Sequence, residues 1–289
     1  MKTITKGKVV AEVFSDIFEY RRTLASRPLN NIWQGRIEAS KGTDYSFYHT
    51  NTFEEANDLM FSYSEGMEQI NRVAPNFKRE EPICRNRQSV IGTIPNVAAF
   101  LKGHPLNMMY REKIRQEVKQ INLYYDRGQY SGVSTKVILC SGRKLLDAVR
   151  MLEASGVQVA IYIMDASVTD HQVAIPIVKL KDASQPLNIL KMAYSLVHPS
   201  FNRRHTFRWL ETSPIVTDRS FVSCYGGTLS RIGYSLTIRR DFLIDNGVMM
   251  QHDVLIDCAT LNGLSTADEL VKLLEKQMQK SLEQVHRAI

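Results

Sequence analysis

The sequence predicts an α/β protein: an open, mostly parallel sheet with flanking helices, preceded by a helical N-terminal region. Three observations carry this expectation. Ile121-Asn122-Leu123-Tyr124-Tyr125 is a short apolar run of strand length, and residues 156–164 form a second one. Between them Ile138, Gly142, Leu145, Val149 and Leu152 make one stripe at helical spacing, with Arg143, Lys144, Asp147 and Arg150 on the opposite side. Strand, amphipathic helix and strand in succession is the layout of a parallel crossover. Ligands of such sheets sit beyond the carboxyl ends of the strands, where Asp126 and Asp165 fall.

The remaining elements follow in chain order. Val10, Val13, Phe14, Ile17, Phe18 and Leu24 recur at helical spacing and predict a first helix over 8–26, ended by Arg27-Pro28. Residues 45–49 read as a short strand. Thr52 followed by Glu55 is a capping box, and the helix it opens turns Ala56, Leu59, Met60 and Met67 inward. Residues 73–90, rich in proline and charge, read as a surface loop or arm. Residues 98–105 read as a short helix, stopped by Gly103 and Pro105, that docks onto a core.

Beyond the crossover, Gly156 closes the amphipathic helix, and Gly142 removes a side chain where that helix approaches the sheet. Val173 to Lys181 reads as a strand, placed at an edge because Pro176 cannot donate to a ladder. Helices follow over 186–197 and after His198-Pro199. Residues 221–257 alternate like a set of strands with glycine turns. Ser265 caps a final helix whose buried face is Leu270, Leu274, Met278, Leu282, Val285 and Ile289. A division near residue 115 separates the helical region, 1–115, from an α/β core, 116–289.

Length and composition narrow the classes. A chain of 289 residues with 44% hydrophobic content can bury a sizeable core. It has no apolar run long enough for a membrane span and no apolar block at Met1-Lys2-Thr3-Ile4-Thr5-Lys6, so the expected location is the cytoplasm. Cys84, Cys140, Cys224 and Cys258 are far apart and form no C-x-x-C pair, which predicts reduced thiols, mostly in the core. The net charge of +7 and a pI near 9.2 favour acidic partners, DNA or RNA among them.

Four constellations bear on chemistry. Asp126 stands at a strand end before a loop and a helix, where a divalent cation could be held if hydroxyls converged. Here, however, Gly128 and Tyr130 occupy the two hydroxyl positions, and Arg127 adds positive charge. Asp165-Ala166-Ser167-Val168-Thr169 has the right residues, Asp165, Ser167 and Thr169, but leads into a strand, so it reads as a strand connection. In 198–209, Arg203, Arg204 and Arg208 alternate with Phe201, Phe207 and Trp209. With Arg143 and Lys144 they form a candidate nucleic-acid surface; the opposing reading buries the aromatics and pairs the arginines with acids such as Glu211. His252, Asp253 and Asp257 suggest a metal hydrolase, but strand alternation turns His252 away from the two aspartates. Phosphate-loop, nucleophile-elbow and His-Glu-x-x-His motifs are all missing, and no cofactor is expected.

Residues 50–56, Gly66-Met67, 94–105 and His198-Pro199-Ser200-Phe201-Asn202-Arg203-Arg204 together resemble an uncharacterised family of bacteriophages and bacterial mobile elements, and from Asp126 onward the layout is similar to von Willebrand A-type domains. The resemblance implies a phage origin, a scaffold that mostly mediates protein contacts, and no catalytic residues. The expectation is therefore a non-catalytic accessory protein that binds a host or phage protein through an exposed apolar patch near the Asp126 turn or the 73–90 loop, with nucleic acid as the alternative.

Overall fold

The computed structural model describes residues 1–63, 84–113, 120–128, 133–233 and 235–288. Among these residues the main sheet has seven strands: β1 (Lys2–Lys6), β2 (Val9–Phe14), β6 (Gln120–Asp126), β7 (Gln158–Met164), β8 (Ser167–Val168), β9 (Val173–Lys181) and β10 (Val254–Asp257). The order is β1-β2-β9-β7-β6-β10, with β8 also against β9. β10, β6 and β7 run parallel; β9 is antiparallel to β7 and parallel to β2. The α/β sheet with flanking helices is as expected, its pairings divided between parallel and antiparallel.

The first strands replace the helix expected over 8–26. Val10, Val13 and Phe14 fit a helical spacing and a strand alternation equally well, and β-branched Val9, Val10 and Val13 tip the local preference to strand. Tertiary burial settles it. Val10 and Phe14 face one core while Val9 and Ala11 face the other. Gly7, at φ +57°, supplies the left-handed conformation at the first position of the two-residue β1–β2 turn. The helix begins only at α1 (Ile17–Ser26), capped by Asp16. Position 115 lies outside the described residues, but β1 and β2 are part of the same sheet as the strands beyond 120, so this stretch of 1–115 is neither helical nor separate.

Other expectations change for similar reasons. Residues 45–48 are a single helical turn, α2 (Tyr45–Tyr48), because the Asp44 carboxylate accepts from the Ser46 and Phe47 amides. The Thr52 half of the capping box at α3 (Phe53–Ser62) forms, with Thr52 Oγ1 accepting from the Glu55 amide at 3.0 Å, while Glu55 reaches one residue past the cap to the Asn51 amide at 2.6 Å. Ala56 and Met60 are buried, whereas Met67 lies outside the described residues.

β9 is central, not an edge strand. Pro176 stands opposite Glu12 in the β2–β9 ladder, and on its other side falls between Ala174, paired with β8, and Ile177, paired with β7, an interval in which a missing N–H costs no ladder bond.

The crossover helix α5 (Thr135–Ala154) has Ile138, Leu145, Val149 and Leu152 buried. It ends in a Schellman motif, with Val157 N–H donating to the Leu152 carbonyl and Gly156 at φ +88°. Gly142 approaches the helix α6 (Ile189–Val197) and not the sheet, because a Cβ there would lie 2.5 Å from the Leu196 carbonyl oxygen. We expect Gly142→Ala to destabilise by about 1–3 kcal/mol despite its better helix propensity, measurable by urea unfolding.

A π-helix (Phe201–Thr206) runs into α7 (Phe207–Thr212). The strands expected over 221–257 are instead α8 (Phe221–Cys224), a 3₁₀ turn (Leu229–Arg231), α9 (Leu236–Asp245) and the single strand β10. Ser235 caps α9 through the Ile238 amide, a local signal that overrides the alternation. Then come α10 (Cys258–Gly263) and α11 (Ala267–Ala288), the latter capped by Thr266 and not Ser265.

Leu270 and Leu274 are buried; the side chains of Leu282 and Val285 and all of Ile289 fall outside the described set. Helices α1, α5, α6, α7, α10 and α11 supply the core on one face of the sheet, and residues 229–249 supply that on the other. No helix among the described residues is long and apolar enough to cross a membrane.

Candidate functional site

The carboxyl ends of β6, β7 and β10 bring Asp126, Asp165 and Asp257 to one edge of the sheet, with Asp126 directly opposite Asp257 in register. A cavity of about 200 Å³ opens there, lined by Arg127, Asp165, Ser167, Asn202, Arg203 and Tyr225 among others. Asp126 closes an Asx turn, its Oδ1 accepting from the Gly128 amide at 3.0 Å and from Ala166 at 3.4 Å. Burial, with the nearby Asp165 and Asp257 carboxylates adding to it, pushes the Asp126 carboxyl up to about 8.

Arg127 does not compensate it. Its guanidinium donates to the carbonyls of Ser195 and His198, the latter at 3.1 Å, at the C-terminal end of α6, where a cation suits the helix dipole.

Asp165 is raised by the same burial, opposed by Arg127 and by two hydrogen bonds: Asn202 Nδ2 to Oδ1 at 3.0 Å and Thr206 Oγ1 to Oδ2 at 2.7 Å. Those donors stand four residues apart on the π-helix, so Asp165 fastens that helix to the sheet. Thr169 turns away, donating to the Gln172 carbonyl at 3.0 Å and to Asp218. Asp165, Ser167 and Thr169 therefore do not converge on a cation, and among the described residues no group of three or more His, Cys, Asp or Glu could hold a metal.

The expected basic surface is interior. Arg204 is 0% exposed and donates to Thr50 Oγ1 at 2.6 Å, the Thr50 carbonyl at 2.7 Å and the Ser40 carbonyl at 2.8 Å, with its guanidinium over the Tyr48 ring. Arg203, also buried, holds the Phe47 and Val133 carbonyls. Arg208 pairs with Glu38 at 2.6 Å, and buried Trp209 donates to Glu12 at 2.7 Å. Lys144 holds the carbonyls of Leu261 and Leu264, while Arg143, on the same helix, is half-buried. These residues tie the 38–52 loop, α10 and β2 to the core, and Arg203, Arg204, Arg208 and Arg143 form no common exposed face. Burial also lowers His198 and His205 to about 3, so both are neutral.

The histidines required for hydrolysis are elsewhere. Asp253 precedes β10 and accepts from Asn122 at 2.8 Å, toward the start of β6 and away from the Asp126 end. His252 is exposed beside it. His171 is not among the residues lining the cavity. Of the described thiols only Cys258 is buried, so Cys140 and Cys224 correct the expectation of core cysteines.

A second candidate lies in residues 84–113. β3 (Cys84–Ser89), β5 (Met108–Lys113) and the two-residue β4 (Ile94–Pro95) form a small antiparallel sheet in the order β3-β5-β4, carrying the helix α4 (Val97–Leu101). Local chemistry specifies α4 well: Asn96 caps it through the Ala99 amide, and Gly103 at φ +65° ends it. The expected docking onto a core does not occur. No residue of α4 is buried, and none of the side chains described over 86–110 joins either core cluster.

Among the described residues, eight of the fourteen exposed large hydrophobic side chains lie between Val90 and Tyr110, including Ile91 at 80% exposure, Leu101 at 78% and Phe100 at 65%. Each such side chain forgoes about 1.5–3 kcal/mol of burial. The sequence signal was the pairing of good caps with apolar residues; what it could not give was that these residues stay uncovered.

The DUF7192 family, described as a domain of unknown function, matches residues 2–261, and the chain belongs to it. No curated protein and no solved structure matches the chain.

Proposed function

We propose that this DUF7192 chain is a non-catalytic accessory protein that recognises another macromolecule, a protein partner, through the apolar face between Val90 and Tyr110. The observation that carries the reading is the concentration of exposed aliphatic and aromatic side chains there, next in sequence to 84–89, which is strand β3 and not the expected loop, while 73–83 lie outside the described residues; apolar patches of this kind mark interaction sites. The cavity at this sheet edge supports catalysis less well: of the three aspartates only Asp165 lines it, buried and held by Asn202 and Thr206, and His171, His252 and Asp253 are not in its lining. Origin in a bacteriophage or mobile element belongs to the same reading and rests on the sequence resemblance. A von Willebrand A-like scaffold is supported by the parallel β6–α5–β7 unit with Asp126 closing its first strand.

Substituting Ile91→Asp together with Leu101→Asp tests the reading. Both side chains are exposed, so the melting temperature should stay within about 2 °C of wild type, while capture of the partner is lost. A fall of more than about 5 °C would mean that these residues serve the fold and not recognition.

A further inference from the structure

We infer that the partner of this surface is an acidic protein segment with bulky apolar anchors. The inference rests on the protein-docking reading above and adds the chemistry of what docks. Residues 84–113 hold Arg85, Arg87, Lys102, Arg111 and Lys113 against the single acid Glu112, so a stretch of thirty residues carries +4 of the chain's net +7. Two of these basic residues, Arg87 and Lys102, border the apolar ones. Arg87 is three residues before Val90, Lys102 follows Leu101, and Arg87 stands opposite Tyr110 in the β3–β5 register. A partner that buries Ile91, Phe100 and Leu101 therefore meets a positive rim, and matched charge steers association and selects among partners.

Three other occupants fit less well. A second copy of the same face would set +4 against +4, which opposes self-pairing. Single-stranded nucleic acid is gripped by aromatic faces, whereas six of the eight exposed side chains here are aliphatic and cannot stack, with only Phe100 and Tyr110 aromatic. An anionic bilayer would suit the charge, but α4 has five residues, too few for an interfacial helix. In addition, among the described residues β3 pairs only with β5, and β4 covers only Met108 and Met109 of β5. Strand edges of this kind accept an added strand from a polypeptide and are costly to place in lipid.

The test is selection from a displayed library of random 15-residue peptides against the full chain, followed by affinity measurement of a synthesised consensus. We expect peptides that combine Asp or Glu with Leu, Ile, Phe or Trp. Binding should weaken at least about tenfold in Arg87→Glu with Lys102→Glu, weaken with added salt, and vanish in Ile91→Asp with Leu101→Asp. Enriched peptides that are apolar but not acidic, and indifferent to the charge reversals, would overturn the acidic partner and leave the docking surface standing. Peptides that bind the Ile91/Leu101 variant as well as wild type would overturn the docking reading itself. Binding of RNA or of phosphatidylserine vesicles in place of any peptide would overturn both.

Discussion

Replacing Arg204 with methionine is expected to lower the melting temperature by roughly 10 °C and to leave no folded protein with a selective defect in nucleic-acid binding. The side chain is fully buried, and its guanidinium meets Thr50 Oγ1, the Thr50 carbonyl and the Ser40 carbonyl at once. Removing it strands the Thr50 and Ser40 carbonyls in the interior and leaves Thr50 Oγ1 with Ser200 alone, at about 1–3 kcal/mol for each group left unsatisfied. Partial relaxation brings the total to about 3–5 kcal/mol, as for other broken buried networks. In a chain of this size that corresponds to about 10 °C. Arg204→Lys should recover little of the loss, because one ammonium cannot reproduce the fork that bridges Ser40 and Thr50. Calorimetry of the two variants decides the matter: melting curves superimposable on wild type would place Arg204 at the surface and revive the basic-cluster reading.

Asp126→Asn is expected to flatten the fall in stability between about pH 4 and pH 8. An aspartate in the unfolded chain titrates near 3.9, whereas burial holds Asp126 up to about 8 in the folded state. The folded protein thus binds the proton more tightly. The resulting stability is fully present below about pH 4 and is lost as pH rises through about 8, by at most about 1.4 kcal/mol per pH unit in that window. Asparagine keeps an oxygen that can accept from Gly128 and Ala166 and carries no proton to lose. The variant should therefore match wild type near pH 4 and exceed it by a few kcal/mol near pH 8. Asp165, also raised by burial, remains in both proteins and leaves a residual slope. Parallel stability curves for the two proteins would show that Asp126 is ionised and compensated in the fold.

Where the sequence was legible, local and tertiary preferences agreed. The β6–α5–β7 unit could be read because its two strands are mostly apolar and its helix has one apolar stripe, closed by a glycine with a positive φ. The capping box at Thr52 could be read because its partners are three residues apart. Legibility failed where one pattern served two periods. Val10, Val13 and Phe14 satisfy a helix as well as a strand, and only a second core, made by residues 229–249, makes burial on both faces of β2 possible.

Pro176 indicated an edge, since nothing local shows that β7 and β8 leave an interval opposite it. The arginines of 203–208 looked like a surface because their acceptors, at Glu38, Ser40, Phe47 and Thr50, are about 160 residues distant in sequence. The alternative of buried aromatics and acid-paired arginines holds for Trp209 and Arg208. For Arg203 and Arg204 the partners are mainly backbone carbonyls, which no side-chain pattern reveals.

The central claim, that the face between Val90 and Tyr110 docks a protein, is tested most directly by site-specific photo-crosslinking. A photoreactive amino acid is placed at position 100, and at position 238 as an exposed control, in cells that express the full chain. The account predicts a discrete protein adduct from position 100, absent from position 238 and lost when Ile91→Asp and Leu101→Asp are added. No protein adduct from position 100, or an adduct that survives those substitutions unchanged, would contradict it.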